Sequence, residues 1–237
     1  MTELRRGAPP VTPAKAIFFD VDFTLIRPGP RFEGHGYAEA CARHGVEIDA
    51  ARFDEAVALA SARLDAQGGV YDPAIFIGYT LRIIEAMGGT GPGAAAAARD
   101  LFDAWSACHH FSLYEEVPDV LRGLHTAGYT IGLISNTQRS LATFEQHFEL
   151  EGLFSVAISS SDHGYMKPHP SIFEEALRRA RVGPSEAVMV GDSVPHDIAG
   201  ALALGMRGIL VARSGLSKNA PPHVPVIASL RELPDLL

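Results

Sequence analysis

The sequence predicts an α/β fold in which a parallel β-sheet flanked by helices carries an inserted all-helical block. Three observations indicate this class. Short apolar runs alternate with amphipathic helical patterns along most of the chain, as in proteins built around a parallel sheet. Residues 30–110 are different, because they show helical patterns alone. The 237 residues are 47% hydrophobic and 20% charged, which is ordinary for a globular protein and excludes a disordered or fibrous chain.

Five apolar runs are predicted to be buried parallel strands. The first run, at residues 16–19, is followed at once by Asp20 and Asp22. An apolar run that stops abruptly at acidic residues is typical of a buried strand whose C-terminal end opens into a site. The other four runs occupy residues 130–135, 154–159, 187–191 and 208–212. Helical patterns lie between them at residues 116–127, 138–148, 170–181 and 195–204.

The stretch between the first and second strands predicts a separate helical domain. Its helical patterns cover residues 34–45, 50–66, 73–87 and 93–108. We therefore expect a Rossmann-like core from residues 1–29 and 111–237, and a helical cap domain from residues 30–110 above the strand ends. The Pro-rich residues 1–14 are expected to be disordered. Closure hinges are predicted near residues 28–30 and 109–114.

The net charge and the number of cysteines limit the classes of binding partner and the cellular compartments that suit this protein. The formal net charge of −8 argues against nucleic-acid binding, which needs a basic face. Two cysteines, Cys41 and Cys108, provide no disulfide framework, so a reducing cytoplasm is the natural location. Neither a signal peptide nor an apolar run of membrane-spanning length occurs, which predicts no membrane partner. We expect a monomer or a homodimer.

Acidic and phosphate-binding residue types follow the predicted strands. Four acids are placed to converge: Asp20, Asp22, Asp192 and Asp197. Two unit charges about 4 Å apart repel by roughly 4 kcal/mol at an effective dielectric near 20, so such a cluster needs a cation. Ligands that offer only oxygen atoms favour Mg²⁺. Two hydroxyl residues and one cation complete a possible phosphate cradle: Thr24, Ser135 and Lys167.

Each of these features also has an ordinary structural explanation. An Asp-x-Asp sequence at a strand end is common, and Asp197 could simply complement a helix dipole. The Ser135-Asn136 pair could form a turn, and Lys167-Pro168 could lie in a solvated loop. However, all of these features occur in one chain, each after a successive predicted strand. Their combination favours a shared functional site.

These motifs resemble the haloacid dehalogenase-like hydrolase superfamily, in its phosphoglycolate phosphatase-like branch with a helical cap. The matching segments are Asp20-Val21-Asp22-Phe23-Thr24-Leu25, Ser135-Asn136, Lys167-Pro168-His169-Pro170 and Gly191-Asp192-Ser193 with Asp197. They span most of the chain. Two positions depart from the usual pattern: Phe23 stands where relatives usually have Gly, and His196 where they often have Asn.

The resemblance implies a role for each matching residue. Asp20 would be the nucleophile and Asp22 the general acid and base. Mg²⁺ would be held by the carboxylates of Asp20 and Asp192 and by the backbone carbonyl of Asp22. The phosphate would be bound by Thr24, Ser135, Asn136 and Lys167. Asp197 would orient Lys167 or a metal-bound water.

The implied function is that of a Mg²⁺-dependent phosphomonoester hydrolase acting through an aspartyl phosphate. Its partner would be a small-molecule phosphate ester, by default a polar or anionic metabolite. Six side chains are candidates to face the substrate: Arg27, Arg31, Tyr71, Phe76, Tyr79 and Arg82. Asp22 disfavours the superfamily's dehalogenases, which lack this second acid.

Several other functions remain open from the sequence. On the same fold, they are a phosphosugar mutase or other phosphotransferase, and a catalytically silent protein that binds a phosphorylated ligand. An Asp-x-Asp sequence also serves nucleotide-sugar binding in glycosyltransferases, but that function would leave Lys167 and Asp192 unused. A receiver-like signalling module would need no helical insert.

Overall fold

A computed structural model describes residues 13–64, 69–213 and 220–237 of the chain. Of the lead expected to be disordered at residues 1–14, residues 1–12 lie outside the described part. Within that part the strands are β1 (Ala16–Phe19), β2 (Ile26–Pro28), β3 (Gly69–Val70), β4 (Phe111–Leu113), β5 (Thr130–Ser135), β6 (Val156–Ser159), β7 (Tyr165–Met166), β8 (Ala187–Gly191), β9 (Arg207–Val211) and β10 (Val226–Ile227). The helices are α1 (Gly34–Ala42), α2 (Phe53–Leu64), α3 (Pro73–Ala86), α4 (Pro92–Trp105), α5 (Val117–Thr126), α6 (Leu141–His147), α7 (Ser160–His163), α8 (Pro170–Ala180) and α9 (Ala199–Ala203).

Six strands form one parallel sheet in the order β10-β9-β8-β1-β5-β6. In the register, Phe19 at the end of β1 lies opposite Val190 of β8 and Leu133 of β5. The chain therefore leaves β1 toward one side of the sheet and later returns to the other side. Ligands of open α/β sheets bind at such a reversal, outside the carboxyl ends of the strands.

The central strands are apolar along their whole length because helices cover both faces of the sheet. All four residues of β1 are buried. Ile17 and Phe19 pack into one core cluster, and Phe18 packs into another with Phe173 of α8. Continuous apolar runs are typical of strands buried on both faces. The predicted α/β fold with a parallel sheet is confirmed. Three of the five predicted strands have the predicted bounds, and the ends of the other two are shifted by one or two residues.

Four helices, α1 to α4, occupy the stretch predicted to be helical, but this stretch is not entirely helical. Gly69–Val70 pairs in antiparallel fashion with Tyr165–Met166, directly before Lys167. A second antiparallel ribbon joins β2 to β4 where the chain enters and leaves the helices. Strands of two or three residues carry no readable alternation of polar and apolar residues, so the sequence did not reveal them. We call residues 30–110 the helical insert. No helix within the described ranges is both long and apolar enough to cross a membrane.

The last predicted helix, at residues 195–204, is formed by two different kinds of turn. Residues Val194–Ile198 adopt a π-helical turn, which is followed by α9. The Ser193 hydroxyl caps this segment by accepting a hydrogen bond from the His196 amide at 3.3 Å. Wide helical turns of this kind occur frequently at functional sites. Asp197 lies within the turn, buried beside the end of β8.

A partly buried ion pair between Glu116 and Arg213 connects the C-terminal segment to the turn after β1. Glu116 accepts hydrogen bonds from the Arg213 guanidinium, from the Ser229 hydroxyl at 3.1 Å and from the Leu230 amide at 3.2 Å. Arg213 also donates to the Thr24 carbonyl at 2.6 Å. Burial acts to raise the pKa of Glu116, but hydrogen bonds from Arg213 and backbone amides outweigh it and lower that pKa below its usual value of 4.5.

Replacing Glu116 with Ala is expected to lower the free energy of unfolding at pH 7 by about 2 kcal/mol, because it leaves the donors of a partly buried pair without their acceptor. Since folding lowers the pKa of Glu116, its contribution is full above the unfolded value of 4.5 and is lost as pH falls through the folded value. Denaturant unfolding at pH 7 and pH 3 measures this loss. Glu115→Ala, at an exposed neighbour, is the matched control. An equal loss at both pH values would contradict the electrostatic account.

Candidate active site

The carboxyl ends of three adjacent strands bring the predicted site residues together. Asp20 follows β1, Ser135 ends β5, and Asp192 follows β8. The Asp20 amide donates to the Val190 carbonyl at 2.9 Å, which extends the β1–β8 pairing to the first catalytic candidate. Gly191 is required at the end of β8, because a Cβ atom there would lie 2.2 Å from Oδ2 of Asp197.

Lys167 lies at the centre of the site between two carboxylates. Its Nζ atom is 2.7 Å from Oδ1 of Asp20 and 2.6 Å from Oδ1 of Asp197. The lysine is only 2% exposed and Asp197 only 1%. The other oxygen of Asp197, Oδ2, accepts the Ser193 amide at 3.0 Å. Asp197 therefore uses both carboxylate oxygens within the protein, which suits a residue that positions Lys167.

Two side chains hold the backbone of Lys167 in place. The Asn136 amide forms a pair of hydrogen bonds with it: Oδ1 accepts from the Lys167 N–H at 2.7 Å, and Nδ2 donates to the Lys167 carbonyl at 2.9 Å. Nδ1 of His196 is 3.1 Å from the same carbonyl. These hydrogen bonds connect the Ser135-Asn136 motif after β5 to the Lys167-Pro168 motif, 31 residues later in the chain.

Burial and crowded charges shift the ionisation of the site. Burial raises the pKa of Asp20 to about 7, despite the opposing effect of Lys167. The Asp192 side chain is exposed, and its carboxylate shares the site with those of Asp20 and Asp197. Burial acts to lower the pKa of Lys167, but contact with Asp197 and Asp20 outweighs it and raises that pKa. The ammonium group of Lys167 therefore compensates only part of the negative charge of Asp20, Asp192 and Asp197.

The acidic residues offer a suitable site for a divalent cation. Among the described residues, carboxylate oxygens of Asp20, Asp192 and Asp197 lie within 4.8 Å of one another. Since both oxygens of Asp197 are already engaged, Asp20 and Asp192 are the members with oxygens to spare. Hard carboxylate oxygens in this number suit Mg²⁺, which retains water for its other positions.

Two buried hydroxyl groups also lack partners. Oγ1 of Thr24 and Oγ of Ser135 are buried and make no hydrogen bond with any residue that the structure describes. Buried polar atoms are almost always satisfied, so orphaned hydroxyls beside an acidic site indicate a ligand that supplies oxygen acceptors. This observation is consistent with the predicted phosphate-binding residues. The others of that set, Asn136 and Lys167, line the cavity described below.

All four acids line one cavity, but Asp22 lies outside the cluster in which the other three have carboxylate oxygens within 4.8 Å of one another. Its Oδ1 accepts a hydrogen bond from Nη1 of Arg139 at 2.9 Å, and its Oδ2 lies 3.4 Å from the indole nitrogen of Trp105. The Arg139 side chain is fully buried, and its Nη2 donates to the Trp105 carbonyl at 2.7 Å. The sequence reasoning missed Arg139, four residues after Ser135, because nothing local marks it as a partner of Asp22.

Phe23 adopts a backbone conformation that favours glycine. Its φ angle is 64°, in the left-handed region where side chains are disfavoured. The turn is held by the Phe23 amide, which donates to the Ile26 carbonyl at 2.7 Å. The ring is 44% exposed and its centroid lies 6.2 Å from the centroid of the Trp105 ring. Phe23 therefore adds an aromatic wall next to Asp22.

A cavity of about 430 Å³ opens onto these groups. Its floor consists of Asp20, Asp22, Asn136, Lys167 and Asp192. Its walls come from α2, α3, α4 and the residues around α1. Of the six candidates for substrate contact, Phe76 and Tyr79 line the cavity. The other four do not: Arg27, Arg31, Tyr71 and Arg82.

Comparisons with known proteins identify relatives of this arrangement. The family model described as haloacid dehalogenase-like hydrolase matches residues 14–205. Haloacid dehalogenase-like hydrolase domain-containing protein 3 from Bos taurus is 34% identical over 118 residues, 50% of this chain and 47% of that protein, so this match spans about half of the relative. A glyceraldehyde 3-phosphate phosphatase from Pyrococcus furiosus is 32% identical over 202 residues, 82% of this chain and 79% of that protein.

A solved structure supports the same conclusion for the fold. The crystal structure of a predicted phosphoglycolate phosphatase from Haemophilus somnus superposes with a TM-score of 0.71 and 19% identity, covering 96% of this chain and 99% of that one. The family model matches well over half of the chain, and the motifs that it spans meet at one sheet edge. This chain therefore belongs to the haloacid dehalogenase-like hydrolase family.

Proposed function

We propose that the protein is a Mg²⁺-dependent phosphomonoester hydrolase that works through a phosphorylated Asp20. The observation that carries the proposal is that two carboxylates line one cavity in different environments. Asp20 contacts Lys167 at 2.7 Å, whereas Asp22 contacts Arg139 at 2.9 Å. Two carboxylates in distinct environments suit a nucleophile and a separate acid–base group. A relative named as a glyceraldehyde 3-phosphate phosphatase supports the reaction class.

Asp20 attacks the phosphorus atom of the ester in this mechanism. A carboxylate oxygen forms a bond to phosphorus while the bond from phosphorus to the ester oxygen breaks, which leaves an acyl phosphate on Asp20. Lys167 keeps Asp20 oriented and offsets its charge, and Asp197 holds Lys167 from the other side. The phosphoryl oxygens accept hydrogen bonds from the Thr24 and Ser135 hydroxyls and from the Asn136 backbone amide.

Asp22 transfers protons in both halves of the reaction. It first donates a proton to the departing ester oxygen, then takes a proton from the water that attacks the acyl phosphate. Arg139 and Trp105 fix the direction of its carboxylate. A hydrolase that displaces halide from carbon has no leaving oxygen to protonate. The presence of Asp22 in the cavity therefore favours phosphate esters over halogenated acids.

The metal proposed for this site would be held by the carboxylates of Asp20 and Asp192 and by the backbone carbonyl of Asp22. When bound, Mg²⁺ offsets the negative charge of the phosphate facing the nucleophile. We also propose the division into a core of residues 1–29 and 111–237 and a cap of residues 30–110. In this arrangement the cap helices cover the cavity and exclude water from it.

Removal of divalent metal tests the proposed function. We expect EDTA to reduce phosphate release from p-nitrophenyl phosphate by about a hundredfold or more, and added Mg²⁺ to restore it. Ca²⁺ is expected to restore little, because it prefers longer bonds and more ligands. Thermal unfolding with and without EDTA checks that the fold persists. Undiminished release in EDTA would contradict the metal requirement, and no release from any ester with Mg²⁺ would favour a binding protein.

A further inference from the structure

The walls of the cavity have a different chemical character from its floor. The helical insert contributes aromatic side chains: Phe32, Tyr37, Phe53, Phe76, Tyr79, Phe102 and Trp105. Aliphatic side chains such as Val57 and Ile83 fill the spaces between them. The volume of about 430 Å³ lies within the range of small-molecule sites, which are mostly apolar with a few polar groups that orient the ligand. Apart from Glu33, the acidic and lysine side chains that line the cavity come from outside the insert: Asp20, Asp22, Lys167, Asp192 and Asp197.

The walls offer no cation to a second anionic group. Among the described residues of the insert that line the cavity, the one charged side chain is that of Glu33, an anion. Arg31 and Arg82 belong to the same helical insert but do not line the cavity. The nearest ammonium, that of Lys167, is already paired with two carboxylates. A carboxylate or second phosphate on the leaving group would be desolvated without a partner, which is strongly unfavourable.

The hydroxyl groups of the walls are engaged with other protein atoms. Oγ of Ser61 and the Tyr79 hydroxyl are 3.3 Å apart. Oγ1 of Thr80 donates to the Phe76 carbonyl at 3.0 Å. A sugar or polyol in this space would exchange its hydrogen bonds with water for apolar contacts, and unpaired buried hydroxyls weaken binding. The described walls therefore offer no cation to an acidic leaving group and few free hydrogen-bonding partners to a polyhydroxylated one.

We infer that the leaving group of the substrate is an uncharged, apolar alcohol that occupies the aromatic part of the cavity. This inference rests on the proposed phosphatase function and specifies its substrate class. It departs from the polar or anionic metabolite that the sequence led us to expect, because the arginines expected to face the substrate do not line the cavity. Apolar contact area would then supply the binding energy that distinguishes one ester from another.

Primary n-alkyl phosphates from ethyl to octyl test this inference, because their leaving oxygens have nearly the same basicity. We expect kcat/KM to rise about threefold to fourfold for each added methylene until the cavity is filled. n-Butyl phosphate is expected to exceed glycerol phosphate, which is of similar length but carries hydroxyls, by more than about tenfold. A flat or falling series, or a preference for phosphoglycolate over hexyl phosphate, would overturn the inference while leaving the phosphatase proposal intact. No turnover of any ester, including p-nitrophenyl phosphate, would instead refute the proposed function.

A pair of variants on α2 locates the effect in the cavity. Val57 lines the cavity, whereas Leu59 on the same helix is 60% exposed and does not. We expect Val57→Arg to lower kcat/KM for hexyl phosphate by about tenfold or more with little change for ethyl phosphate, and Leu59→Arg to change neither. Equal effects of both variants would contradict the assignment. The chain-length series on the unmodified protein decides the question if Val57→Arg fails to fold.

Discussion

Replacing Asp20 with Asn is expected to reduce the rate of phosphate release by more than about a thousandfold while the fold remains intact. The amide nitrogen and oxygen of Asn cannot attack phosphorus as a carboxylate does, so the covalent route is lost. Asn has the size of Asp, and Lys167 keeps its contact with Asp197 at 2.6 Å. Removing one negative charge also lessens the repulsion among the acids at the site.

Steady-state release from p-nitrophenyl phosphate and thermal unfolding together measure this prediction. Asp119→Asn makes the same chemical change at an exposed position in the first turn of α5, and it is expected to leave turnover unchanged. If Asp20→Asn released phosphate at a rate comparable with that of the unmodified protein, Asp20 would not be the nucleophile.

Asp22→Asn is expected to separate the two halves of the reaction. p-Nitrophenolate leaves without protonation, so the variant should release about one equivalent of it per protein in a rapid burst. Hydrolysis of the acyl phosphate then stalls, because no base remains to activate water. With an alkyl phosphate we expect no burst, since an alkoxide needs a proton to leave. Rapid-mixing absorbance with p-nitrophenyl phosphate and the amount of butanol released in rapidly quenched reactions with butyl phosphate measure the two cases.

The same variant needs a structural control because Asp22 pairs with a fully buried Arg139. The Asn side chain retains an oxygen that can accept from Nη1, so we expect only modest destabilisation in thermal unfolding. A steady rate without a burst, equal to that of the unmodified protein, would contradict an acid–base role for Asp22. A burst with both esters would show that some other group protonates the leaving alcohol.

The central strands were predictable because both faces of the sheet are buried. The apolar runs of β1, β5 and β8 therefore show where each strand ends. The residues that follow these strands, such as Asp20 and Asp192, lie at one edge of the sheet. The short pairings could not be predicted in this way. β3 pairs with β7, which follows it by more than 90 residues, and nothing in two residues encodes such a partner.

Neither the role of Arg139 nor the orientation of α3 could be predicted from the sequence, and the reasons are related. Arg139 gains its role from Asp22, which lies 117 residues earlier in the chain. On α3, Phe76, Tyr79 and Ile83 share the face toward the cavity, while Arg82 lies outside it. That rotation is set by packing against α2 and α4, and the residue types on α3 do not fix it by themselves.

The β2–β4 ribbon constrains how the helices can move relative to the sheet. Both passages of the chain between the two parts run side by side there, paired from Ile26–Pro28 to Phe111–Leu113. Because the two passages are hydrogen-bonded to each other, we expect a movement of the insert to displace both of them together. The β3–β7 ladder joins the insert to the segment that leads into Lys167. We expect a large movement of the insert to break this ladder and to displace the backbone before the lysine.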